Sequence, residues 1–308
     1  MKTFDLICPV FDEQETIPLF FARIQAVFGT LGKDYDCRLV FIDNSSADRS
    51  QQMVRALCDQ HEWVSLVVMS RNFGYQCSVE CGVRTSTADL TAVVDVDCED
   101  PPELFVEFLG HIEQGFDVVY GERKDREEVA FVKLLRKVYY RVNRAAADEH
   151  FILDMAEFGV MNRMVREAII ADSTSYPYIR ASIGRVGFEV KNVPYKRHRR
   201  IAGKTHYNMW RMSVFAVAGI LASSTLWLRV PAFVFPFWAA ATAACLAALL
   251  ATGDDLFFQI AVIGGLAFLC FSMTGVSLYL ARVYKNGLMR PNYHINRKKS
   301  VLRGRPVS

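Results

Sequence analysis

Leu90-Thr91-Ala92-Val93-Val94-Asp95-Val96-Asp97-Cys98-Glu99-Asp100-Pro101-Pro102-Glu103 runs from an apolar segment through an acidic turn into a proline-led helix start. Leu90–Val94 is predicted to be a buried strand closed by Asp95. Pro101-Pro102-Glu103 is predicted to open a helix, because proline is at ease in a first turn. Side chains alternate across an extended chain, so Asp95 and Asp97 point to one side, with Glu99 in register if the chain stays extended. Three carboxylates so close repel one another unless a cation sits among them. Hard oxygen ligands imply Mg²⁺ or Mn²⁺, shared with substrate phosphates. A solvated acidic loop is the other reading of an Asp-x-Asp tripeptide; a place at a strand end with a helix start behind it favours the metal.

Outward from this stretch the same unit recurs. Leu6–Val10 is a short apolar run that gives way to Asp12-Glu13. In Thr16–Leu31 the residues Ile17, Phe20, Phe21, Ile24, Val27, Phe28 and Leu31 fall at helical spacing. Arg38–Ile42 ends in Asp43-Asn44-Ser45-Ser46, a turn and helix-cap sequence. Val64–Met69 ends in Ser70-Arg71-Asn72, and Val118–Gly121 is a fifth strand. Strands alternating with helices predict an α/β fold with a mostly parallel sheet covered on both faces. Such sheets bind ligands beyond the carboxyl ends of their strands, which is where these polar clusters fall.

Of the 308 residues 52% are apolar and 12% aromatic, which excludes a disordered or low-complexity chain. Charge is segregated. Residues 1–189 hold 31 of the 33 acids and 20 bases; residues 190–211 hold seven bases and no acid; residues 282–308 hold eight bases and no acid. Between Met212 and Ala281 the charges are Arg229, Asp254 and Asp255. Val230–Gly253 and Leu256–Ala281 are each longer than the ~20 apolar residues that cross a bilayer core of ~30 Å. Buried core helices, the alternative, seldom run so far without a polar face. Positive flanks stay inside, so both termini are expected to be cytoplasmic and the Asp254-Asp255 turn to face outward. Met212–Leu228, interrupted by Ser213, Ser223, Ser224 and Thr225, is expected to lie in the interface as an amphipathic helix. No export signal is read at Met1-Lys2-Thr3. The eight cysteines are expected to be reduced, and Cys77 and Cys81 to pack rather than bind zinc.

Four motifs occur in order: Pro9-Val10-Phe11-Asp12-Glu13, Ile42-Asp43-Asn44-Ser45-Ser46-Ala47-Asp48, Ser70-Arg71-Asn72-Phe73-Gly74 and Asp95-Val96-Asp97-Cys98-Glu99-Asp100-Pro101-Pro102-Glu103. Together they resemble the GT-A, family 2 inverting glycosyltransferases. Gly121-Glu122-Arg123-Lys124-Asp125-Arg126 and the collar Arg197-His198-Arg199-Arg200-Ile201-Ala202-Gly203-Lys204-Thr205-His206-Tyr207 narrow the resemblance. The chain looks like the polyprenyl-phosphate glycosyltransferases, the group of dolichyl-phosphate mannose synthase and the bacterial GtrB- and ArnC-like enzymes, whose bacterial members share the paired carboxy-terminal spans. The implied organisation is a cytoplasmic GT-A (Rossmann-like) domain over 1–207, an interfacial helix over 208–229, a transmembrane hairpin over 230–284 and a basic cytoplasmic tail over 285–308.

The resemblance implies transfer of one sugar from a nucleotide-sugar, a UDP-hexose, to polyprenyl (undecaprenyl) phosphate at the bacterial inner membrane, for envelope glycan or lipid A modification. It implies Mg²⁺ or Mn²⁺ as cofactor, membrane lipid as a partner, and a homo-oligomer, a tetramer in related enzymes. By the same resemblance Asp95 and Asp97, with Glu99 as a third ligand, hold the metal against the donor diphosphate. Asp43, with Pro9, Phe11 and Glu13, binds the nucleoside; helix capping is the other role open to Asp43. Ser70 and Asn72 line the donor site unless their loop is purely structural, and Arg123 reaches the pyrophosphate. Leu153–Phe158 stands where relatives have Asp-x-Gly-Asp-Phe, so Ala156 and Glu157 depart from the pattern. Glu157 aligns with the family's proposed base, and Asp154 is the second carboxylate there. A phosphate monoester, with a second pKa of about 6, is already mostly dianionic at neutral pH, which makes positioning the safer role for Glu157. Acceptor phosphate is expected at Arg180, Arg197, Arg200 and Lys204. Arg297, Lys298 and Lys299 are expected to attract anionic lipid, at about 1 kcal/mol per residue. Nucleic acid is not expected, since no aromatics interleave the basic runs. Two other readings stand: a catalytically silent membrane scaffold that binds nucleotide-sugar or lipid, and a processive polysaccharide synthase, weakened by the missing Gln-x-x-Arg-Trp motif.

Overall fold

β1 (Lys2–Val10) sets the sheet. Phe4, Leu6, Cys8 and Val10 enter one core and Ile7 the other, so the strand is buried on both faces. β2 (Tyr35–Asp43) and β4 (Leu90–Val93) flank it in parallel, and β3 (Val64–Val68) lies parallel beyond β2. β5 (Val118–Lys124) and β6 (Met155–Asn162) pair antiparallel, as do β4 and β6, and β7 (Val190–Lys196) runs parallel to β5. The order is β3-β2-β1-β4-β6-β5-β7. This computed structural model describes residues 1–124, 155–171, 178–198 and 225–303.

α1 (Ile17–Leu31), α2 (Ser50–Gln60) and α4 (Phe105–Glu113) cover one face, and the buried side of α1 is the set predicted from its spacing. α3 (Tyr75–Thr85), α5 (Arg163–Ala171) and α6 (Ile179–Val186) cover the other. A Cβ on Gly82 would meet Ile7 Cγ2 at 2.0 Å, so glycine is what lets α3 lie against β1. Within this second layer Asp5 is fully buried, gripped by Arg38 Nε at 3.0 Å and Nη2 at 2.6 Å and by Ser86 Oγ at 2.7 Å.

The α/β fold with a mostly parallel sheet is as predicted, and the five expected strands are all present. β6 and β7 were not read from the sequence, and β6 makes the sheet mixed. β4 stops at Val93, so the extended register assumed for Asp95 to Glu99 is not kept.

By backbone contacts the chain divides into two units, and the two long helices fall in the second. α7 (Leu226–Thr252) and α8 (Asp255–Gly287) are long and apolar enough to cross a membrane. Trp238 stacks on Phe268 with centroids 4.9 Å apart, and Asp254 caps α8 by accepting from Leu256 N at 2.9 Å. α7 takes in Leu226–Arg229, assigned from the sequence to an interfacial helix; residues 208–224 of that helix lie outside the described residues.

Residues 291–303 return to the first unit and line β3. Leu66 and Val301 exchange two backbone hydrogen bonds of 2.7 Å. Asn296 N donates to Val68 O at 2.7 Å, and Val68 N donates to Ser300 Oγ at 2.9 Å. Ser70 N donates to His294 O at 2.8 Å. A basic tail read as lipid-attracting thus also covers an edge strand, a standard remedy for open backbone groups.

Candidate active site

β1 has β2 on one side and β4 on the other, so chain order reverses there and the carboxyl ends of these strands open a crevice. Three non-glycine residues at these ends are left-handed: Asp12 (φ 55°), Ser45 (φ 65°) and Cys98 (φ 57°). Such strain persists only where the surroundings impose it. Asp12 Oδ1 accepts from Ala47 N at 2.7 Å, Asp12 N donates to Ser46 Oγ at 3.0 Å, and Glu13 N donates to Ser50 Oγ at 2.8 Å. The turns after β1 and β2 are therefore cross-braced.

Asp43 ends β2 and is 1% exposed. Its Oδ1 accepts from Ser46 N at 3.1 Å; its Oδ2 is buried with no hydrogen-bond partner among the described residues. Burial raises its pKa. Pro9 is buried in β1 and Phe11 is half-buried just past it. The Glu13 carboxylate accepts from Thr16 Oγ1 at 2.8 Å, beside the start of α1. Asn44 pins the next turn, donating to Asn72 Oδ1 at 3.1 Å and accepting from Phe73 N at 2.9 Å. Asn72 Oδ1 also accepts from Gly74 N at 2.9 Å, and Ser70 is held through its backbone by His294.

The acidic loop does not present three parallel carboxylates. Asp95 Oδ1 accepts from the Tyr75 hydroxyl at 2.7 Å, and burial, followed by the charges of Asp97 and Asp100, pushes its pKa up to about 7. The left-handed turn at Cys98 swings Glu99 away: Asp97 Oδ1 takes Glu99 N at 3.1 Å, and the Glu99 carboxylate pairs with Arg197 Nη2 at 2.6 Å. Asp100 accepts from Arg123 Nη2 at 3.0 Å and from the Tyr195 hydroxyl, with Arg197 Nε at 3.5 Å. Arg123 Nε also donates to Tyr195 at 3.1 Å. Arg23 clamps the far side, on Glu103 at 2.8 and 2.5 Å and on Cys98 O at 3.4 Å. Among the described residues no group of three acids, histidines or cysteines gathers around a common point. Arg123 and Arg197, expected at phosphates, are thus ion-paired to the acidic loop.

Glu157 lies on β6, next to β4. Its Oε1 accepts from Gln76 Nε2 at 2.6 Å and from Arg180 Nε at 3.1 Å. Arg180 Nη1 donates to Met155 O at 2.9 Å, and its guanidinium carbon lies 5.2 Å from the Tyr178 ring centre. Glu157 and Arg180 also line a mostly apolar cavity with Val79, Val160, Ile179 and Ile183. Asp154, Arg200 and Lys204 lie outside the described residues.

A family model described as glycosyl transferase family 2 matches residues 5–172, more than half of the chain. The chain belongs to glycosyl transferase family 2. It is 28% identical over 307 residues to a prophage bactoprenol glucosyl transferase homolog of Escherichia coli (strain K12), covering 96% of this chain and 98% of that one. It is 24% identical over 321 residues to the undecaprenyl-phosphate 4-deoxy-4-formamido-L-arabinose transferase of Pectobacterium atrosepticum, covering 98% and 95%. Among solved structures, mannosyl-3-phosphoglycerate synthase from Rubrobacter xylanophilus matches with a TM-score of 0.50 at 15% identity, over 72% of this chain and 74% of that one. That likeness concerns the fold: a GT-A-like, mostly parallel sheet, here followed by two long apolar helices.

The family 2 match takes in Asp43, Asp95, Asp97 and Glu157, and leaves out Arg180, Arg197 and both long helices. The hydrogen bonds of the candidate site take in four residues to which sequence reasoning gave no role: Tyr75, Gln76, Asp100 and Tyr195. Asp100 was quoted in the acidic motif without a role, and Tyr75-Gln76 directly follow the Ser70–Gly74 motif. Tyr195, 95 residues from its partner Asp100, left no local signal.

Proposed function

We propose that this protein is an inverting glycosyltransferase that moves one sugar from a UDP-hexose to undecaprenyl phosphate at the cytoplasmic face of a bacterial inner membrane. The product is a lipid-monophosphate-linked sugar for envelope glycan or lipid A modification. The observation that carries this reading is Asp95 beside Asp97 at the strand-order reversal, in a chain that also holds two helices of membrane-crossing length. The near full-length likeness to proteins named for bactoprenol and undecaprenyl phosphate supports the acceptor. In this reading both termini are cytoplasmic, and the enzyme works as a homo-oligomer.

Asp95, pushed up to about 7 by burial and neighbouring carboxylates, is an acid whose ionised form lacks a sufficient counter-charge. Mg²⁺ or Mn²⁺ fits that need, with Asp95 and Asp97 as its holders. Glu99 joins them only on leaving Arg197. When bound, such an ion supplies Lewis-acid neutralisation of the charge that develops on the leaving diphosphate. Asp43 Oδ2 is an acceptor for the imide N–H of uracil, between Pro9 and Phe11. Arg180, with Arg197, Arg200 and Lys204, receives the acceptor phosphate. A phosphate oxygen attacks the anomeric carbon as the nucleoside diphosphate departs, so an α-linked donor gives a β-linked lipid. The acceptor monoester, with a second pKa of about 6, arrives mostly dianionic at pH 7, so no base has to remove a proton. Glu157, engaged by Gln76 and Arg180, acts by orienting Arg180.

The test is transfer to lipid by the purified protein, with undecaprenyl phosphate, Mg²⁺ or Mn²⁺, and a panel of labelled UDP- and GDP-sugars, read by mass analysis of the extract. One new species at the mass of a polyprenyl monophosphate sugar is expected, and it should be lost in a folded Asp97→Asn variant. Absence of product with every donor, while a relative turns over in the same assay, overturns the enzyme in favour of a silent binding scaffold.

A further inference from the structure

We infer that Tyr75 and Gln76, successive residues at the start of α3, are positioning residues: Tyr75 holds Asp95, on the donor side, Gln76 holds Glu157, on the acceptor side, and the helix start they share fixes the two halves of the site relative to each other. The inference rests on the function proposed above and deepens it.

It begins in strand register. β4 and β6 pair antiparallel, Leu90 with Asn162 through Val93 with Gly159. β4 ends there, so Asp95 and Glu157 come to the same rim of the sheet without a ladder pair between them. Like charges brought to one rim repel, so each calls for a donor of its own. The first two residues of α3 supply them. Gly74 precedes them at φ 92° and ψ 161°, a conformation that favours glycine, and turns the chain abruptly into the helix. Successive residues of a helix point about 100° apart, so Tyr75 and Gln76 diverge. Tyr75 donates to Asp95 Oδ1 at 2.7 Å, and Gln76 donates to Glu157 Oε1 at 2.6 Å. The helix that carries the pair lies close against β1, where a Cβ on Gly82 would meet Ile7 Cγ2 at 2.0 Å.

The experiment measures Mn²⁺ affinity in the presence of UDP, by electron paramagnetic resonance titration, in the full-length protein, Tyr75→Phe, Glu157→Gln and the double variant. Outer partners of metal ligands typically contribute about 10- to 100-fold to affinity, so Tyr75→Phe should weaken Mn²⁺ at least tenfold and lower kcat. In the Glu157→Gln background the same substitution should cost distinctly less, because the helix start has already lost its charged anchor at Gln76. An unchanged Mn²⁺ affinity in Tyr75→Phe overturns the inference. So does a loss of equal size in both backgrounds, since Tyr75 then serves Asp95 alone. A parent protein that binds no Mn²⁺ with UDP fails the proposed function itself. Thermal unfolding of each variant separates these outcomes from misfolding; if Tyr75→Phe unfolds early, Gln76→Ala removes the anchor on Glu157 instead and should weaken Mn²⁺ affinity severalfold, and an unchanged affinity there overturns the inference.

Discussion

Replacing Asp43 with Asn exchanges a buried carboxylate for an amide of nearly the same shape, and stability and binding should move in opposite directions. The side chain is 1% exposed, one oxygen holds Ser46 N at 3.1 Å, and the other has no partner among the described residues. An unsatisfied buried polar group costs about 1–3 kcal/mol. Burial raises the Asp43 pKa, so the folded state prefers the protonated form. Its cost is therefore absent below the unfolded value, about 3.9. It grows as pH rises through that value and is complete above the folded pKa. The amide nitrogen takes the same unpartnered place, so only the penalty on the charge is relieved, and Asp43→Asn should stabilise the nucleotide-free protein at pH 7 by up to about 1 kcal/mol, which is roughly 2–4 °C in Tm for a domain of this size. The gain should vanish below about pH 4. UDP binding should weaken, because an amide nitrogen or a neutral oxygen replaces the charged acceptor for the imide N–H. A hydrogen bond to a charged group is worth about 1.5–3 kcal/mol, or roughly ten- to a hundredfold in Kd. Scanning fluorimetry across pH and calorimetric titration with UDP measure both. Unchanged UDP affinity reduces Asp43 to the cap of the turn at Ser46; a Tm gain that persists at pH 3.5 refutes the ionisation argument.

Gly121→Ala should lower stability by about 1–3 kcal/mol, because its Cβ would lie 2.5 Å from Tyr195 Cε1 and 2.8 Å from Phe158 Cδ1. The Tyr195–Asp100 contact should loosen with it, so sugar transfer should fall as well as the denaturation midpoint. Arg180→Lys keeps the charge but loses the fork that joins Glu157 and Met155 O. It should raise KM for undecaprenyl phosphate severalfold while leaving KM for the donor near its parent value, as read in initial-rate kinetics. Removing residues 291–308 strips β3 of its cover. The truncated protein should melt earlier and aggregate faster by light scattering.

Much of the sheet was legible because β1 to β4 are apolar runs closed by polar turns, and parallel strands buried on both faces read that way. β6 and β7 hid for physical reasons. Gly159 sits inside β6, where a Cβ would stand 2.6 Å from Val119 O, so a residue that reads as a breaker is there for close strand approach. β7 is an edge strand that alternates buried Val193 and Tyr195 with exposed neighbours and carries Pro194. Proline and charge at an edge suppress the strand signal, which is how edges avoid unwanted pairing.

The candidate site divides along the same line between local and distant information. Which residues would gather was readable, since strand ends in a parallel sheet share one rim. How they are paired was not. Alternation extends only as far as the strand does, and β4 ends at Val93, so the in-phase placement of Glu99 fails at the left-handed Cys98. The partners that then take up Glu99 and Asp100 are Arg123, Tyr195 and Arg197, two of them almost a hundred residues away. A count of basic residues near the collar treats Arg197 as charge available to an anion, whereas in the folded chain it already neutralises the acidic loop. Segregated charge in a sequence therefore marks where anions and cations meet; only the tertiary pairing decides which of those charges a substrate must compete for.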